Sequence, residues 1–275
     1  MNRLHKKVIF IIALVIVNIV GLVSCKSKDM YQANEEISQT VDVNNNNAKV
    51  LSIKNIDIND GRNQSEESNL SKKVENISDF SVSNILINYE EINNKNNIVA
   101  KSQVFLDLTL KPNEAAKISF FNDDKIKKIN IVSYEYQTLD KEVLVDLKNN
   151  TVIINKNNLN LKDSKSYEVL TTSDIYEVKS SDEVDTYGLN IKNTSKKELG
   201  NITVKIGQLD EDNEYIMVDS ISSYNVLKAS EDVKMEIKAL EDTKSIELLG
   251  YSYDDIKEKA NINIDLKLHK ASISN

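Results

Sequence analysis

Apolar and polar residues alternate along most of this chain, and the alternation returns at an offset of 117 residues. Ile85-Leu86-Ile87-Asn88-Tyr89 comes back as Ile202-Thr203-Val204-Lys205-Ile206. The apolar pairs Val82/Leu199, Ile92/Leu209, Val104/Ile221, Ile118/Met235, Phe120/Ile237 and Ile129/Ile246 keep the same register. Identical residues are fewer, and most belong to polar signatures: Asn76-Ile77-Ser78 and Asn193-Thr194-Ser195, Asn84-Ile85 and Asn201-Ile202, Leu110-Lys111 with Glu114 and Leu227-Lys228 with Glu231. Period-two runs bounded by polar turns predict half-buried strands, about seven per copy. An amphipathic helical stretch is missing; only Asp254–Lys259 suggests a helical turn. A duplication of this kind sets the architecture before any single element does. The expected fold is all-β: two tandem antiparallel β-sandwich domains, each with an apolar face inward and a polar face outward.

The expected division is residues 1–24 as a targeting segment, 25–48 as a polar tether, 49–148 as the first repeat, 149–165 as a connection and 166–275 as the second repeat. Val152-Ile153-Ile154 within the connection reads as an extra edge strand. Asn at the Asn-x-Ser positions fits a turn, where its side chain bonds nearby backbone and tolerates a left-handed conformation.

The N-terminus departs from the alternation. Arg3, Lys6 and Lys7 precede an apolar run from Val8 to Val23 broken only by Asn18 and Gly21. Basic residues followed by an apolar core form a secretory signal pattern. Its sixteen residues fall short of the roughly 20 that a spanning helix needs. Leu22-Val23-Ser24-Cys25 ends the run, and Cys25 is the sole cysteine. This segment resembles the lipobox of bacterial lipoproteins. The resemblance implies that the Cys25 thiol receives diacylglycerol, that the bond before it is cut, and that the product sits lipid-anchored on the extracytoplasmic face of the cell membrane. Two or more acyl chains anchor stably where one is marginal.

Composition narrows the chemistry. With Arg3, Lys6 and Lys7 set aside, 32 basic residues face 43 acidic ones, a balance of −11. Such a surface repels phosphate backbones, so no nucleic-acid partner is expected. Abundant Asn, Lys and Ile with few Gly, Pro and Trp fit an AT-rich, Gram-positive source. His5 and His269 are the only histidines. A Cys/His metal cluster, a Cys nucleophile with its base, or a Ser-His-Asp triad chosen among several candidates cannot be assembled. Neither cofactor nor metal is expected, and one thiol allows no internal disulfide.

Three clusters invite a sharper reading. Tyr134/Tyr136 and Tyr251/Tyr253 lie two apart on one strand face, as a stacking platform for sugars or as core packing with the hydroxyls at the rim. Asp210, Asp212 and Glu214 crowd a turn and can offer oxygens to Ca²⁺, but such a site takes about six to eight ligands, and a solvated hairpin turn explains the cluster as well. Asp57, Asn59, Asp60 and Gly61 resemble a calcium loop with its spacing one residue short. His269 reads as part of a solvent-exposed C-terminal tail.

From Val74 to Phe120 and from Ile191 to Ile237, the order Asn-x-Ser, period-two strand, polar turn, Leu-Lys-x-x-Glu, strand resembles the small immunoglobulin-like, FxLYD-type domains of bacterial surface lipoproteins. Asn88-Tyr89-Glu90 and Gln208-Leu209-Asp210 stand where that family has Leu-Tyr-Asp. The resemblance implies a surface module without catalysis. The expected role is a non-catalytic binding or scaffold module for an envelope protein or wall polymer. A structural spacer, or an accessory of an envelope machine, is the alternative, and a hydrolase a more distant one.

Overall fold

The computed structural model describes residues 39–42, 45–56, 71–120, 125–179 and 185–274. The lipobox with Cys25 and the Asp57–Gly61 stretch lie outside these. The chain is all-β with sandwich-like sheets. Among the described residues, the only helical turns are 3₁₀ turns at Asn46–Ala48 and Ser164–Ser166, and no helix is long and apolar enough to cross a membrane.

The first half holds β1 (Gln39–Asp42), β2 (Leu51–Asn55), β3 (Ser71–Asn76), β4 (Ser83–Asn93), β5 (Ile98–Leu106), β6 (Ala115–Ser119), β7 (Ile126–Gln137), β8 (Lys141–Asp146) and β9 (Thr151–Lys156). The second holds β10 (Lys162–Asp163), β11 (Leu170–Thr172), β12 (Tyr176–Lys179), β13 (Thr186–Asn193), β14 (Leu199–Leu209), β15 (Tyr215–Ser223), β16 (Asp232–Lys238), β17 (Ser245–Asp255), β18 (Ala260–Asp265) and β19 (Lys270–Ser274). One six-stranded sheet runs β1-β9-β8-β7-β4-β5, and its counterpart β10-β19-β18-β17-β14-β15 has the same order. Against each lies a smaller sheet: β2-β3-β6 in the first half, and β13 flanked by β11, β12 and β16 in the second.

Two strands fall where the sequence suggested linkers. β1 lies in the expected tether, and β9 in the expected connection. β9 is not an edge, because β1 pairs with its free side from Gln39↔Ile154 to Asp42↔Thr151. The stretch read as a C-terminal tail contains β19, so His269 sits in the turn between β18 and β19, where its carbonyl accepts the Ser164 N–H at 3.1 Å. The suggested helical turn after Asp254 is a hairpin turn, with Lys259 at φ 53°.

Each half fills its own interior. Val82, Ile85, Ile87, Leu110 and Val145 are fully buried in the first, and Leu199, Ile202, Val204 and Ile206 in the second. These are the residues that alternation places on one face, and burying each contributes about 1.5–3 kcal/mol. The first core also takes in Leu209, Tyr215 and Leu249 from the second half. The smaller sheet of the first half continues into the larger sheet of the second: β6 meets β15 in a parallel bridge at Ala116↔Tyr215, making one nine-stranded sheet.

The polar signatures that recur at 117 residues meet in one knot. Asn76 is fully buried and donates from Nδ2 to the carbonyls of Phe80 (2.7 Å) and Leu110 (2.9 Å), while its Oδ1 accepts from the Ser78 N–H (3.0 Å) and hydroxyl (2.6 Å). Asn193 makes the same four bonds to Lys197, Leu227 and Ser195. Each backbone also bonds the following Leu-Lys-x-x-Glu turn, Asn76 N–H to Glu114 and Asn193 N–H to Glu231, both at 2.9 Å. Glu114 and Glu231 in turn accept the N–H of Lys111 and Lys228. The Asn-x-Ser residue therefore acts as a buried brace across a turn, where local turn chemistry alone was expected. The left-handed positions are others, and six of them are paired at the same offset: Asn84 and Asn201, Asn96 and Asn213, Asn113 and Ser230. Asn84 and Asn201 sit where the pairing to β7 and β17 shifts register, which accounts for their recurrence.

Candidate functional site

The four tyrosines are core residues. Tyr134, Tyr136, Tyr251 and Tyr253 are all at most 4% exposed, so their ring faces are closed to a ligand. Tyr136 donates to the Asn47 carbonyl at 2.7 Å and Tyr134 to that of Ala48; Tyr253 donates to Tyr167 at 3.0 Å. Tyr134, Tyr136 and Tyr253 thus pin the segments around the two 3₁₀ turns, while the Tyr251 hydroxyl is buried without a hydrogen-bond partner among the described residues. Burial pushes Tyr134 up to about 12, and burial with Asp255 and Tyr167 nearby does the same to Tyr253. Tyr136 and Tyr251 are raised for the same first reason.

Asp210, Asp212 and Glu214 do converge, with carboxylate oxygens within 4.8 Å of one another. The cation among them is Lys117 of the first half, whose Nζ lies 2.5 Å from Asp210, 3.2 Å from Glu214 and 3.6 Å from Asp212. Lys73 adds a second ammonium on Glu214. The other Asp210 oxygen accepts the N–H groups of Asp212 and Glu214 at 3.0 and 3.1 Å. The expected solvated turn is thus a clasp between halves, with Asp210 buried. The matching turn of the first half carries Asn93, Lys95 and Asn97, and Asn93 accepts the same two N–H bonds. The acids appear only on the copy that docks. That contrast between copies was the one signal by which the sequence could have disclosed the clasp.

Burial works to raise the Asp210 carboxyl, but the Lys117 ammonium and the two N–H donors outweigh it, and the group stays below its ordinary range. Lys117 is raised overall: burial acts downward, and its bonds to Asp210 and Glu214 more than compensate. A depressed carboxyl stabilises the fold above its unfolded value of about 3.9 and loses that contribution as pH falls through the lower folded value. A raised lysine stabilises below about 10.4 and loses it as pH climbs further. The clasp therefore contributes fully between these limits, begins to weaken below about pH 4, and is lost as pH falls through the lower folded value of Asp210. Urea midpoints measured from pH 2 to 7 should fall on the acid side. Asp210→Asn, which restores the first copy's residue, should flatten that fall; an unchanged acid limb would exclude Asp210 as its source.

Elsewhere between the two halves lies a cleft of about 420 Å³. Its floor is the outer face of the second half's large sheet, where pairing aligns Thr203, Ser252, Asn263 and Ser272 across four strands. Ser222 extends the row, its hydroxyl 2.8 Å from that of Thr203. A second row holds Lys205, Gly250, Asp265 and Lys270. Gly250 must be glycine, since a Cβ there would lie 2.3 Å from the Ile264 carbonyl oxygen. Two of the three charges of this row are tied to the first half: Lys205 to Asp107 at 2.6 Å, and Asp265 to the Thr109 hydroxyl at 2.6 Å. Lys267 lies beneath, only 2% exposed along its side chain, on Glu114, on the Tyr215 hydroxyl (2.5 Å) and over the Tyr215 ring. Tyr215 donates onward to Glu247. Leu139 and Leu159, each 50% exposed, form the rim. None of the floor residues was singled out by the sequence reading, because a row across strands has no signature along the chain.

No protein-family model matches the chain, and no curated protein matches it. Among solved structures, IrmA from Escherichia coli matches at a TM-score of 0.28 and 8% identity, over 36% of this chain and 86% of that one. A Bacteroides uniformis beta-glucuronidase matches at 0.21 and 9% identity, over 83% of this chain and 32% of its own. The Amycolatopsis orientalis exo-chitosanase CsxA matches at 0.20 and 14%, over 78% and 26%. The chain spans about a third or less of the length of these two enzymes. TM-scores this low carry no inference about activity.

Proposed function

We propose that this protein is a non-catalytic binding module of a bacterial envelope, held to the extracytoplasmic face of the membrane by lipid on Cys25. The cleft between the halves is the observation that carries the binding part. It is concave, roofed by one repeat and floored by the other, and its open polar groups are mostly hydroxyls and amides, with the Lys270 ammonium beside them. Its charged side chains Lys205, Asp265 and Lys267 are engaged by Asp107, Thr109 and Glu114. Ligand sites commonly form where two lobes meet in this way. The anchoring part rests on the signal-like run ending at Cys25. A spacer remains the alternative reading.

Two measurements test it together. Cys25→Ala should leave an unprocessed precursor or release the protein from membranes, seen by fractionation and mass shift; normal processing and retention would remove the lipid anchor from the proposal. The wild-type chain should co-sediment with purified wall material, and failure to do so with a folded protein would favour a spacer.

A further inference from the structure

We infer that the cleft takes an uncharged, hydroxyl-rich polymer, an oligosaccharide chain, laid along the row Thr203–Ser252–Asn263–Ser272. This rests on the binding-module reading and deepens it. The row crosses three inter-strand steps of about 4.8 Å, roughly 14 Å in all, so it suits an extended chain rather than a compact ligand. Its groups both donate and accept, which matches sugar hydroxyls and amides.

The first half supplies an internal control. Strand pairing places Phe105, Leu86, Glu135, Leu144 and Ile153 in the row equivalent to Ser222, Thr203, Ser252, Asn263 and Ser272. The same positions on the same sheet are thus largely apolar where no repeat roofs them, and neutral and polar where one does. The polar row is therefore not a requirement of the fold.

Two other polymer chemistries fit less well. β14, β17 and β18 are paired on both sides, so over most of the floor a peptide cannot add to the ladder; only β19 is open, beyond its two pairs with β10. A polyanion would need several free ammonium groups, but Lys205 and Lys267 are held by Asp107 and Glu114, which leaves only Lys270 among the cleft's lysines, and the chain carries net −8. The cleft also adjoins a second hollow of about 440 Å³ that shares Thr138, Leu139, Lys267 and Leu268 and is lined by Phe80. Phe80 is 39% exposed and offers a ring against which the C–H face of a sugar can pack.

The test titrates the full chain in detergent with a neutral N-acetylhexosamine hexasaccharide, and separately with inorganic polyphosphate and an uncharged peptide of similar length. Calorimetry should show saturable binding of the oligosaccharide alone. Thr203→Leu with Asn263→Leu copies Leu86 and Leu144 of the first half, and should weaken binding about tenfold or more through loss of two hydrogen-bonding groups. Phe80→Ala, at a partly exposed side chain, should weaken it without touching the row and guards against misfolding of the double variant. No oligosaccharide binding, or binding unaffected by both changes, overturns the inference. Peptide or polyphosphate binding that the leucine pair abolishes would also overturn it, yet leave the cleft as a binding site. Wall co-sedimentation that survives both changes would place that function elsewhere on the protein.

Discussion

Asn193→Ala should destabilise the protein by about 3 kcal/mol, as the net loss of several buried hydrogen bonds with donors and acceptors left unpaired. The Asn193 side chain is fully buried and makes four bonds, two from its amide nitrogen and two to its oxygen. Its removal strands the Lys197 carbonyl and the Ser195 N–H, and it opens a small cavity beside Leu199 and Leu227, which stay bonded to each other at 2.8 and 3.1 Å. Asn193→Asp discriminates bond chemistry from volume. It keeps the acceptor and the size, but it aims a carboxylate oxygen at two carbonyl oxygens, so it should be at least as damaging as alanine. Asn76→Ala should behave in the same way, because Asn76 makes the same four bonds. Urea denaturation followed by circular dichroism measures all three. An aspartate variant as stable as wild type would show that the knot is held by shape alone.

Lys267→Ala should cost about 3 kcal/mol, toward the lower end for breaking a buried ion pair, because Glu114 is partly open to solvent. The loss falls on the contact between halves rather than on either core. Lys267 belongs to the β18–β19 turn, Glu114 to the turn before β6, and Tyr215 begins β15 beside Ala116. Wild type should unfold in one calorimetric transition, since the first core includes Leu209, Tyr215 and Leu249 of the second half. Lys267→Ala with Lys117→Ala removes the central cation of each cluster, leaving Lys73 on Glu214 and Lys205 on Asp107, and should split that transition in two. A double-mutant cycle of Lys267→Ala with Glu114→Gln isolates the pair energy from lost packing on the Tyr215 ring. Additive effects in that cycle, with a single transition retained, would show that the halves are coupled by the sheet and the apolar contacts without help from the ion pair.

Much of the architecture was open to reading because burial is periodic. Ile85 and Ile87 are fully buried, as are Ile202 and Val204, and alternation alone sorts these from their neighbours. The missed strands are instructive. β1 lies in Asn-rich surroundings, and its pairing with Thr151–Ile154, more than a hundred residues away, is what turns the expected edge strand β9 into an interior one. β19 carries Ala271 inward, but its alternation is short and rests on one small apolar residue and Ile273, which is 40% exposed.

The site was less legible still. Tyr134 and Tyr136 show the right spacing for a face, and spacing cannot say whether that face meets solvent or Asn47 and Ala48. Asp210, Asp212 and Glu214 look solvated when only their own turn is in view; Lys117, 93 residues away, is what makes them a clasp. The amino-acid sequence by itself determined the strand class, the duplication and the inward face of each sheet, because these follow from local alternation and from residues repeated at fixed offset. Tertiary structure alone decided which turn docks on which repeat, that Asn76 and Asn193 brace rather than merely turn the chain, and that Thr203, Ser252, Asn263 and Ser272 form one row. Each of those depends on register between strands and on the approach of two halves, and both are set by packing far along the chain.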